Sequence, residues 1–454
     1  MTGDPAGTVR RWLRTLGDIA YVPAVPTSPG CPLLDWAASG AMALSGEADG
    51  PPVMSPGPML SLLGEVGHAL HRLSAGVGRP VRIDPGLLLG ARAGAMGLTP
   101  RGRTSAGGAT RLLRAADGWC AVTLARPDDI DLVPAMLGRA HVADPWQELA
   151  AAVRDAGARE FATHIRMFGV PAAALPREPP VVDAPWQVSS IAAPDRNLRL
   201  ERALVVDFSS LWAGPLCAHL LGRAGARVVK VESTRRPDGA RRGNRRFFDW
   251  LHAGHESFAV DFTSAEGRAE LAQLVRAADV VIEASRPRAL AQLGLAPEEF
   301  DHRAGRVWVS ITGYGRGRPD RVAFGDDAAV AGGLVGRSDG EPVFCADAIA
   351  DPLTGLVAAL GAVGSLACGG GQLIDVSMRD VAAAFAACPP VDHGPHPVRT
   401  EATGKVVDCP VLGRTQVVLP PLAPVPGGTA AAMGADTGRI LRRGSPLRTQ
   451  PAPR

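Results

Sequence analysis

The sequence predicts an α/β protein with a Rossmann-like parallel sheet in a large domain and a separate small α+β domain. Strand-like apolar runs alternate with helical segments between residues 203 and 312, which is typical of parallel βαβ units with helices on both faces of a sheet. The chain has 454 residues, 46% of them hydrophobic and 20% charged. That length and composition favour two or three domains around a large buried core.

Composition and charge exclude several classes of protein. A formal net charge of +3 and an aromatic content of 5% provide neither the basic surface nor the stacking platforms of a nucleic-acid-binding protein. The seven cysteines are scattered, odd in number and without a CxxC pair, which argues against a disulfide framework and against a zinc or other metal site. We therefore expect a cytoplasmic protein without a metal.

The sequence indicates no membrane segment and no signal peptide. Arg10, Arg11 and Arg14 lie near the N-terminus, but no apolar run before a small-residue cleavage site accompanies them. The longest apolar run, residues 353–368, is short, rich in alanine and interrupted by glycine. Such a run is typical of a buried helix.

The first third of the chain contains an internal echo. Residues 35–63 echo residues 327–356 in spacing and composition, and GRPVRID at 78–84 parallels GGQLID at 370–375. The early copy has Leu60 or Ser61 at the position where the late copy has Asp351. If Asp351 is a catalytic residue, the early copy is catalytically empty.

Pattern changes divide the rest of the chain. Residues 106–178 combine the strand-like WCAVTL with helical runs and predict a small α+β domain. Residues 179–199 are rich in proline and polar groups and predict a linker. Residues 200–395 carry the parallel sheet. Residues 396–454 are rich in proline and glycine, so we expect them to wrap over the larger body, with one short helix at 433–441 and a disordered end.

The predicted strands of the large domain follow one another at βαβ spacing. They are 203–208, 228–232, 280–283 and 307–312, with helices at 215–222 and 265–278 between them. Gly214 alone stands where a dinucleotide site needs three spaced glycines, so dinucleotide binding is disfavoured. The later GYGRGR at 313–318 is followed by Pro319 and Asp320, which favours a loop over a phosphate-binding turn.

Four carboxylates lie among small and apolar neighbours between residues 324 and 356. They are Asp326, Asp327, Asp347 and Asp351. A weakly solvated carboxylate is a better nucleophile and a more tunable acid than an exposed one, so Asp351 is the leading catalytic candidate. Asp351 also precedes an apolar helical run, and in the alternative interpretation it only caps that helix.

Residues 202–375 resemble the class III CoA-transferases, the CaiB/BaiF-type family that includes formyl-CoA and carnitine CoA-transferases and α-methylacyl-CoA racemase. The matching segments occur in the family's order and cover most of its large domain. They are VVDFSSLWAGPLCAHLLGRAGARVVKVES, AVDF, ADVVIEASRPRALAQLGL, VSITGYGRG, IADPLTGLVAAL and GGGQLIDVSM. The resemblance implies the CoA-transferase III fold.

The resemblance also implies an unusual domain order. The DGW at 117–119 and GVPAAAL at 169–175 are similar to the start and exit of the family's small domain, which here precedes the CoA-binding half. The order is thus permuted relative to the family, and residues 1–105 would be the remnant of a large domain.

A mechanism follows from the resemblance. In the family an aspartate attacks the acyl-CoA thioester, CoA thiolate returns to form an aspartyl-CoA thioester, and an acceptor acid takes the CoA. Asp351 within IADPLTG matches that nucleophile, with Asp327 and Asp347 as supporting catalytic candidates. The resemblance places the CoA contacts at Trp212, Ala213, Gly214, Arg235, Arg236, Ala284, Ser285, Arg286, Arg288, Gly313 and Tyr314.

Departures from the family pattern qualify this function. Trp212 stands where several members have a polar residue, which implies an acyl pocket that is more apolar or differently shaped. Asp326 replaces the histidine that the racemase branch needs, which disfavours racemisation. Ala284 and Ser285 replace an Asn-Phe pair of the family's CoA-binding motif.

The expected function is transfer of CoA from an acyl-CoA donor to a carboxylic acid acceptor. A catalytically silent CoA-binding partner protein and an acyl-CoA racemase or isomerase are the alternatives. Family members form interlocked dimers, so we expect a homodimer, with acyl-CoA and carboxylic acids as its ligands and no nucleic-acid or membrane partner.

Overall fold

The computed structural model describes residues 4–24, 30–55, 57–285, 287–389, 394–402 and 404–442. Its strands are β1 (Thr110–Arg114), β2 (Trp119–Thr123), β3 (Ala172–Ala174), β4 (Trp186–Ser190), β5 (Leu204–Asp207), β6 (Arg227–Ser233), β7 (Glu256–Val260), β8 (Val280–Glu283), β9 (Val307–Thr312), β10 (Gly336–Ser338), β11 (Glu341–Val343), β12 (Gln372–Ser377), β13 (Val398–Glu401), β14 (Gly404–Cys409) and β15 (Arg414–Val417).

Helices connect and cover these strands. They are α1 (Pro5–Arg14), α2 (Pro32–Ala38), α3 (Met59–Val77), α4 (Pro85–Met96), α5 (Pro127–Asp131), α6 (Val133–Met136), α7 (Pro145–Arg154), α8 (Ala158–Met167), α9 (Ala213–Arg223), α10 (Arg245–His252), α11 (Ala265–Ala277), α12 (Pro287–Ala291), α13 (Gly325–Gly332), α14 (Ala350–Ala367), α15 (Met378–Ala386) and α16 (Thr437–Arg442).

The large sheet has seven strands in the order β4-β12-β9-β8-β5-β6-β7. Every pairing is parallel except that of β4 with β12, which is antiparallel. Leaving out β4, the chain runs outward from β5 to β7 and then crosses to β8, β9 and β12 on the other side. This is the doubly wound order, in which the crevice for a ligand lies between the strands where the direction reverses, here β5 and β8.

Both faces of the sheet are buried, which explains the continuous apolar runs of its strands. Val205, Ile282 and Val309 face one core, which contains α3, α9 and α14. Val206, Val281 and Trp308 face a second core with residues of α11. Successive side chains of each strand thus point to opposite faces of the sheet and pack against one of two layers of helices. The predicted α/β architecture is confirmed.

The small unit consists of the antiparallel sheet β1-β2-β3 and the helices α5–α8. Its own core includes Cys120, Val122, Leu149 and Phe161. Thr110 and Thr123 are directly opposite each other in the β1–β2 register. This end of the small sheet therefore presents two hydroxyl groups to the neighbouring large sheet domain.

The N-terminal helices pack on the large domain. Both copies of the sequence echo lead into a long helix, α3 in the first and α14 in the second, and residues of the two helices share one core. The two copies differ in structure after these helices. Residues 372–377 of the second copy form β12, whereas residues 79–84 of the first copy are irregular. Asp84 instead caps α4 by accepting a hydrogen bond from the Leu87 amide.

The predicted linker and the C-terminal segment contain more regular secondary structure than their composition suggests. Residues 179–199, expected as a linker, contain β4, the edge strand of the large sheet. Residues 394–442 form the β13–β15 sheet and then cross α4, α10 and β7, ending in α16; the predicted helix at 433–441 begins four residues later, at Thr437. Residues 443–454, expected to be disordered, lie outside the described residues.

Helix α14 has 18 residues, and almost all of them are small or apolar and buried. It is long and apolar enough to cross a membrane by length and composition, but 89% of it is buried inside the protein. At Gly355 it comes so close to α9 that a side chain there would overlap the Ala213 carbonyl oxygen. The first turns of α9 and α14 therefore lie side by side.

Candidate active site

Asp351 lies in the first turn of α14, after the helix has begun. The N-cap position belongs to Ile349, and Asp351 is the second residue of the helix, so the alternative interpretation of Asp351 as the cap is wrong. Gly355, one turn later on the same side, touches the start of α9. The first turns of α14, which carry Asp351, therefore lie against the start of α9.

A glycine makes room for the Asp351 carboxylate. The backbone N–H of Gly325 donates a hydrogen bond to it, and a methyl group at Gly325 would overlap Asp351 Oδ2 and the Ala348 carbonyl oxygen. Burial raises the pKa of Asp351 to about 7, with Arg92 acting in the opposite direction and Asp326 and Asp347 reinforcing the rise. Near neutral pH this group thus exists in both its charged and its neutral form.

Asp326 and Asp327 begin α13 and are held by the small unit. Asp327 Oδ1 accepts hydrogen bonds from the Phe324 amide (2.9 Å) and from Thr123 Oγ1 (3.1 Å). Asp326 accepts from the Ala348 amide (3.0 Å) and from Thr110 Oγ1 (3.4 Å). Burial raises the pKa of Asp326 to about 6 and that of Asp327 to about 8.

Asp347 forms an ion pair that sequence reasoning did not find. Its two oxygens accept hydrogen bonds from Arg92 of α4, at 2.8 Å from Nε and 2.5 Å from an Nη atom. Ala346 and Ala348, on either side of Asp347, have φ values of 58° and 42°. The left-handed conformation is costly for residues other than glycine, so the surrounding contacts hold this turn in shape.

Arg92 also reaches the start of α9. Its guanidinium lies 5.4 Å from the ring centre of Trp212, which in turn makes an edge-to-face contact with Phe247 at 5.2 Å. Trp212 is buried and follows Leu211, whose φ of 71° is strained. The only sequence signal for Arg92 was a single charge within the apolar helix PGLLLGARAGAM.

The structure brings three of the predicted CoA contacts together at the crevice between β5 and β8. Gly214 lies in the first turn of α9, where a side chain would overlap Ser209 and approach the Ala284 Cβ to 3.6 Å. Ala213 of the same turn touches α14 at Gly355. Trp212, Ala213 and Gly214 therefore lie at the start of α9, between Ala284 after β8 and Gly355 of α14, and Ser285 follows Ala284 beyond β8.

The remaining predicted contacts are more dispersed. Arg235 follows β6 and pairs with Asp261 at 2.9 Å with 69% of its side chain exposed, and Arg236 is also exposed. Gly313 packs closely on residues 321–323 and Tyr314 is buried. Arg286 and the side chain of Arg288 lie outside the described residues. Of the predicted arginines that the structure describes, Arg235 and Arg236 are thus surface residues.

Accessibility distinguishes the four carboxylates. Asp327 and Asp347 are 0% exposed and Asp326 is 8% exposed, whereas Asp351 is half-buried. Asp351 is thus the least buried residue of these four. Asp326, Asp347 and Arg92 act electrostatically on Asp351, and the Gly325 amide donates a hydrogen bond to it, an arrangement suited to tuning a nucleophilic carboxylate.

Comparison with known proteins shows which family this part of the chain resembles. Residues 200–413 match the family model of CoA-transferase family III. Succinyl-CoA–D-citramalate CoA-transferase of Chloroflexus aurantiacus is 30% identical over 198 residues, 40% of this chain and 49% of the relative. Succinate–glutarate CoA-transferase of Agrobacterium fabrum is 32% identical over 217 residues, 43% of this chain and 54% of the relative. The predicted family resemblance is confirmed.

Similarity to solved structures covers less than half of the chain. A CaiB/BaiF family protein from Brucella suis is 26% identical, with a TM-score of 0.42, over 46% of this chain and 65% of that structure. The chain spans about half the length of the curated relatives it matches.

Proposed function

We propose that the protein transfers CoA from an acyl-CoA donor to a carboxylic acid through Asp351, since residues 200–413 match the family model of CoA-transferase family III. The observation that carries the proposal is that Asp351 is half-buried, whereas the three aspartates around it are almost completely buried. The relatives matched over about half their length are named CoA-transferases. Thioester substrates are therefore expected.

The proposed reaction exchanges acyl bonds at one carboxylate. The ionised Asp351 attacks the thioester carbonyl, and the C–S bond breaks to give a mixed anhydride and CoA thiolate. The thiolate then attacks the aspartyl carbonyl and releases the donor's carboxylate. An acceptor carboxylate attacks the resulting aspartyl-CoA thioester and, by the same two exchanges, leaves as the new CoA thioester. No oxidant, reductant or net proton is needed.

The surroundings of Asp351 support each of these steps. The amide of Gly325 and the adjoining first turns of α9 and α14 bring partial positive charge to the place where oxyanions would form. Arg92 offsets the negative charge of Asp347 at 2.5 Å, which would otherwise disfavour the ionised form of Asp351. We propose Asp347 as a positioning residue, held by Arg92, and Asp327 as the anchor between α13 and the small unit.

The CoA moiety would enter between β5 and β8. The close approach of Gly214 to Ala284 leaves backbone at the surface of this crevice, which suits a long ligand lying against it. The buried Trp212 beside Arg92 would form an apolar wall near the acyl group. These assignments follow the family resemblance.

Trapping the covalent intermediate tests the proposal. The protein is incubated with a donor and hydroxylamine, and peptide mass spectrometry identifies a hydroxamate at Asp351. Asp351→Asn should abolish both the label and CoA exchange, whereas Asp339→Asn, in the exposed turn between β10 and β11, should preserve both. Exchange that continues without Asp351 would overturn the proposal; acyl-CoA binding without exchange in the native protein would favour the silent-partner alternative.

Donor, acceptor and assembly are further proposals. Succinyl-CoA is the first donor to test, because succinyl-CoA or succinate appears in the names of the two relatives. A panel of carboxylic acids serves as acceptors, and mass spectrometry identifies the CoA products. A homodimer would elute at twice the chain's 47.0 kDa in gel filtration with light scattering. Cytoplasmic localisation stays a prediction.

A further inference from the structure

Two cysteines and a histidine from distant parts of the sequence meet where α2 packs on the β13–β15 sheet. They are Cys31, His396 and Cys409, and their candidate ligand atoms all lie within 4.8 Å of one another. Cys31 precedes α2, His396 precedes β13 and Cys409 ends β14. The absence of a CxxC pair had argued against such a site, but folding supplies the proximity that local spacing lacks.

The ligand atoms are oriented for a shared partner. Cys31 Sγ and His396 Nε2 are 3.1 Å apart. The other ring nitrogen of His396, Nδ1, lies 2.8 Å from the Gly394 carbonyl oxygen, so it donates its proton there and leaves the Nε2 lone pair facing the cysteines. A carbonyl that fixes the tautomer in this way is a regular feature behind metal-bound histidines.

Backbone amides surround the two sulfur atoms. The Leu412 N–H donates to Cys409 Sγ at 3.4 Å, and the amides of Leu33 and Leu34 donate to Cys31. Cys31 is 2% exposed and Cys409 is 1% exposed. Two buried thiolates would repel one another, whereas a divalent cation between them would cancel their charge.

From this arrangement we infer that Cys31, His396 and Cys409 bind a zinc ion, with a solvent molecule in the fourth position. Two thiolates and an imidazole are the soft and borderline donors that zinc prefers, and they do not suit magnesium or calcium. The ion would join the start of α2 to the C-terminal sheet across more than 360 residues of sequence. Its expected role is to fix that sheet, whose strand β13 is exposed along its length.

Metal content of the full chain tests the inference. Protein purified under reducing conditions and exposed to zinc, then freed of loosely bound metal by gel filtration, should retain about one zinc per chain. Cys31→Ser and Cys409→Ser should each weaken retention by about tenfold or more. Cys388→Ser is the matched control, since that half-buried cysteine is outside the cluster, and it should retain zinc fully.

Two further readouts distinguish a bound ion from a structural role of the sulfur atoms. Cobalt-loaded native protein should show a thiolate-to-cobalt charge-transfer band that Cys409→Ser lacks, and a chelator should lower the melting temperature of the native protein but not of Cys409→Ser. No stoichiometric zinc, or zinc retained by both cysteine variants, would overturn the inference. A Cys31–Cys409 disulfide found by peptide mapping of protein prepared without reductant would overturn it as well.

Discussion

Arg92 and Asp347 form a two-pronged ion pair across 255 residues of sequence, through bonds of 2.8 and 2.5 Å. Asp347 is fully buried, while 28% of the Arg92 side chain is exposed. A buried carboxylate without a partner is costly, so the N-terminal helix α4 is needed to complete the carboxylate cluster of the large domain.

Removal of Arg92 should damage both stability and activity. Arg92→Ala leaves Asp347 buried and unpaired, and we expect the free energy of unfolding to fall by about 3 kcal/mol and kcat/KM for CoA exchange to fall by about 100-fold. Urea unfolding and a CoA-exchange assay measure the two effects. Arg139→Ala, which breaks a surface ion pair with Glu148, should cost at most about 1 kcal/mol; equal losses in both variants would contradict a special role for Arg92.

Gly325 should tolerate no side chain. In Gly325→Ala the new methyl group overlaps Asp351 Oδ2 and the Ala348 carbonyl, so the carboxylate must move, and a shift of about 1 Å can cost about 100-fold in rate. We expect kcat to fall by that order in the exchange assay. Gly64→Ala in α3 has open space around the new methyl group and should leave kcat unchanged. A fully active Gly325→Ala variant would refute the proposed position of Asp351.

Activity should rise with pH through neutrality. Only the ionised form of Asp351 is nucleophilic, and burial raises the pKa of this group to about 7, so kcat/KM should increase by about tenfold for each pH unit below that value and level off above it. Because Arg92 lowers the pKa of Asp351, Arg92→Gln should move the midpoint to higher pH. A profile that is flat between pH 5 and 8 would contradict Asp351 as the titrating group.

Stability should change with pH in the opposite direction. Burial raises the pKa of Asp327 from 3.8 to about 8, so between these values the folded state binds a proton that the unfolded state has released. This contribution to stability is complete below about pH 4 and declines by about 1.4 kcal/mol per pH unit as the pH rises toward 8.

Asp327→Asn tests that slope. The amide oxygen can still accept the hydrogen bonds from Phe324 and Thr123, but the group no longer titrates, so the decline in unfolding free energy between pH 5 and 8 should become shallower. Urea unfolding at several pH values measures it, with Asp339→Asn as the exposed control. An unchanged slope would show that Asp327 is already ionised in the folded protein.

Much of the large domain was predictable because its signals are local. The strands β8 and β9 occupy the predicted residues 280–283 and 307–312. Apolar runs of that length between turn residues favour buried strands, because they are too short for most helices. Strand β4 was not predicted, because WQVSS lies in a proline-rich segment and its register with β12 depends on an edge formed nearly 200 residues later.

The sequence by itself determined the alternation of strands and helices, the family resemblance and the four aspartates, because each depends on neighbouring residues or on an ordered set of motifs. Tertiary structure alone decided that Asp351 is the least buried of the four aspartates, that Arg92 pairs with Asp347, and that Cys31 meets His396 and Cys409. These contacts join residues hundreds of positions apart, and their energies arise from burial and charge in the folded core, which no local spacing encodes.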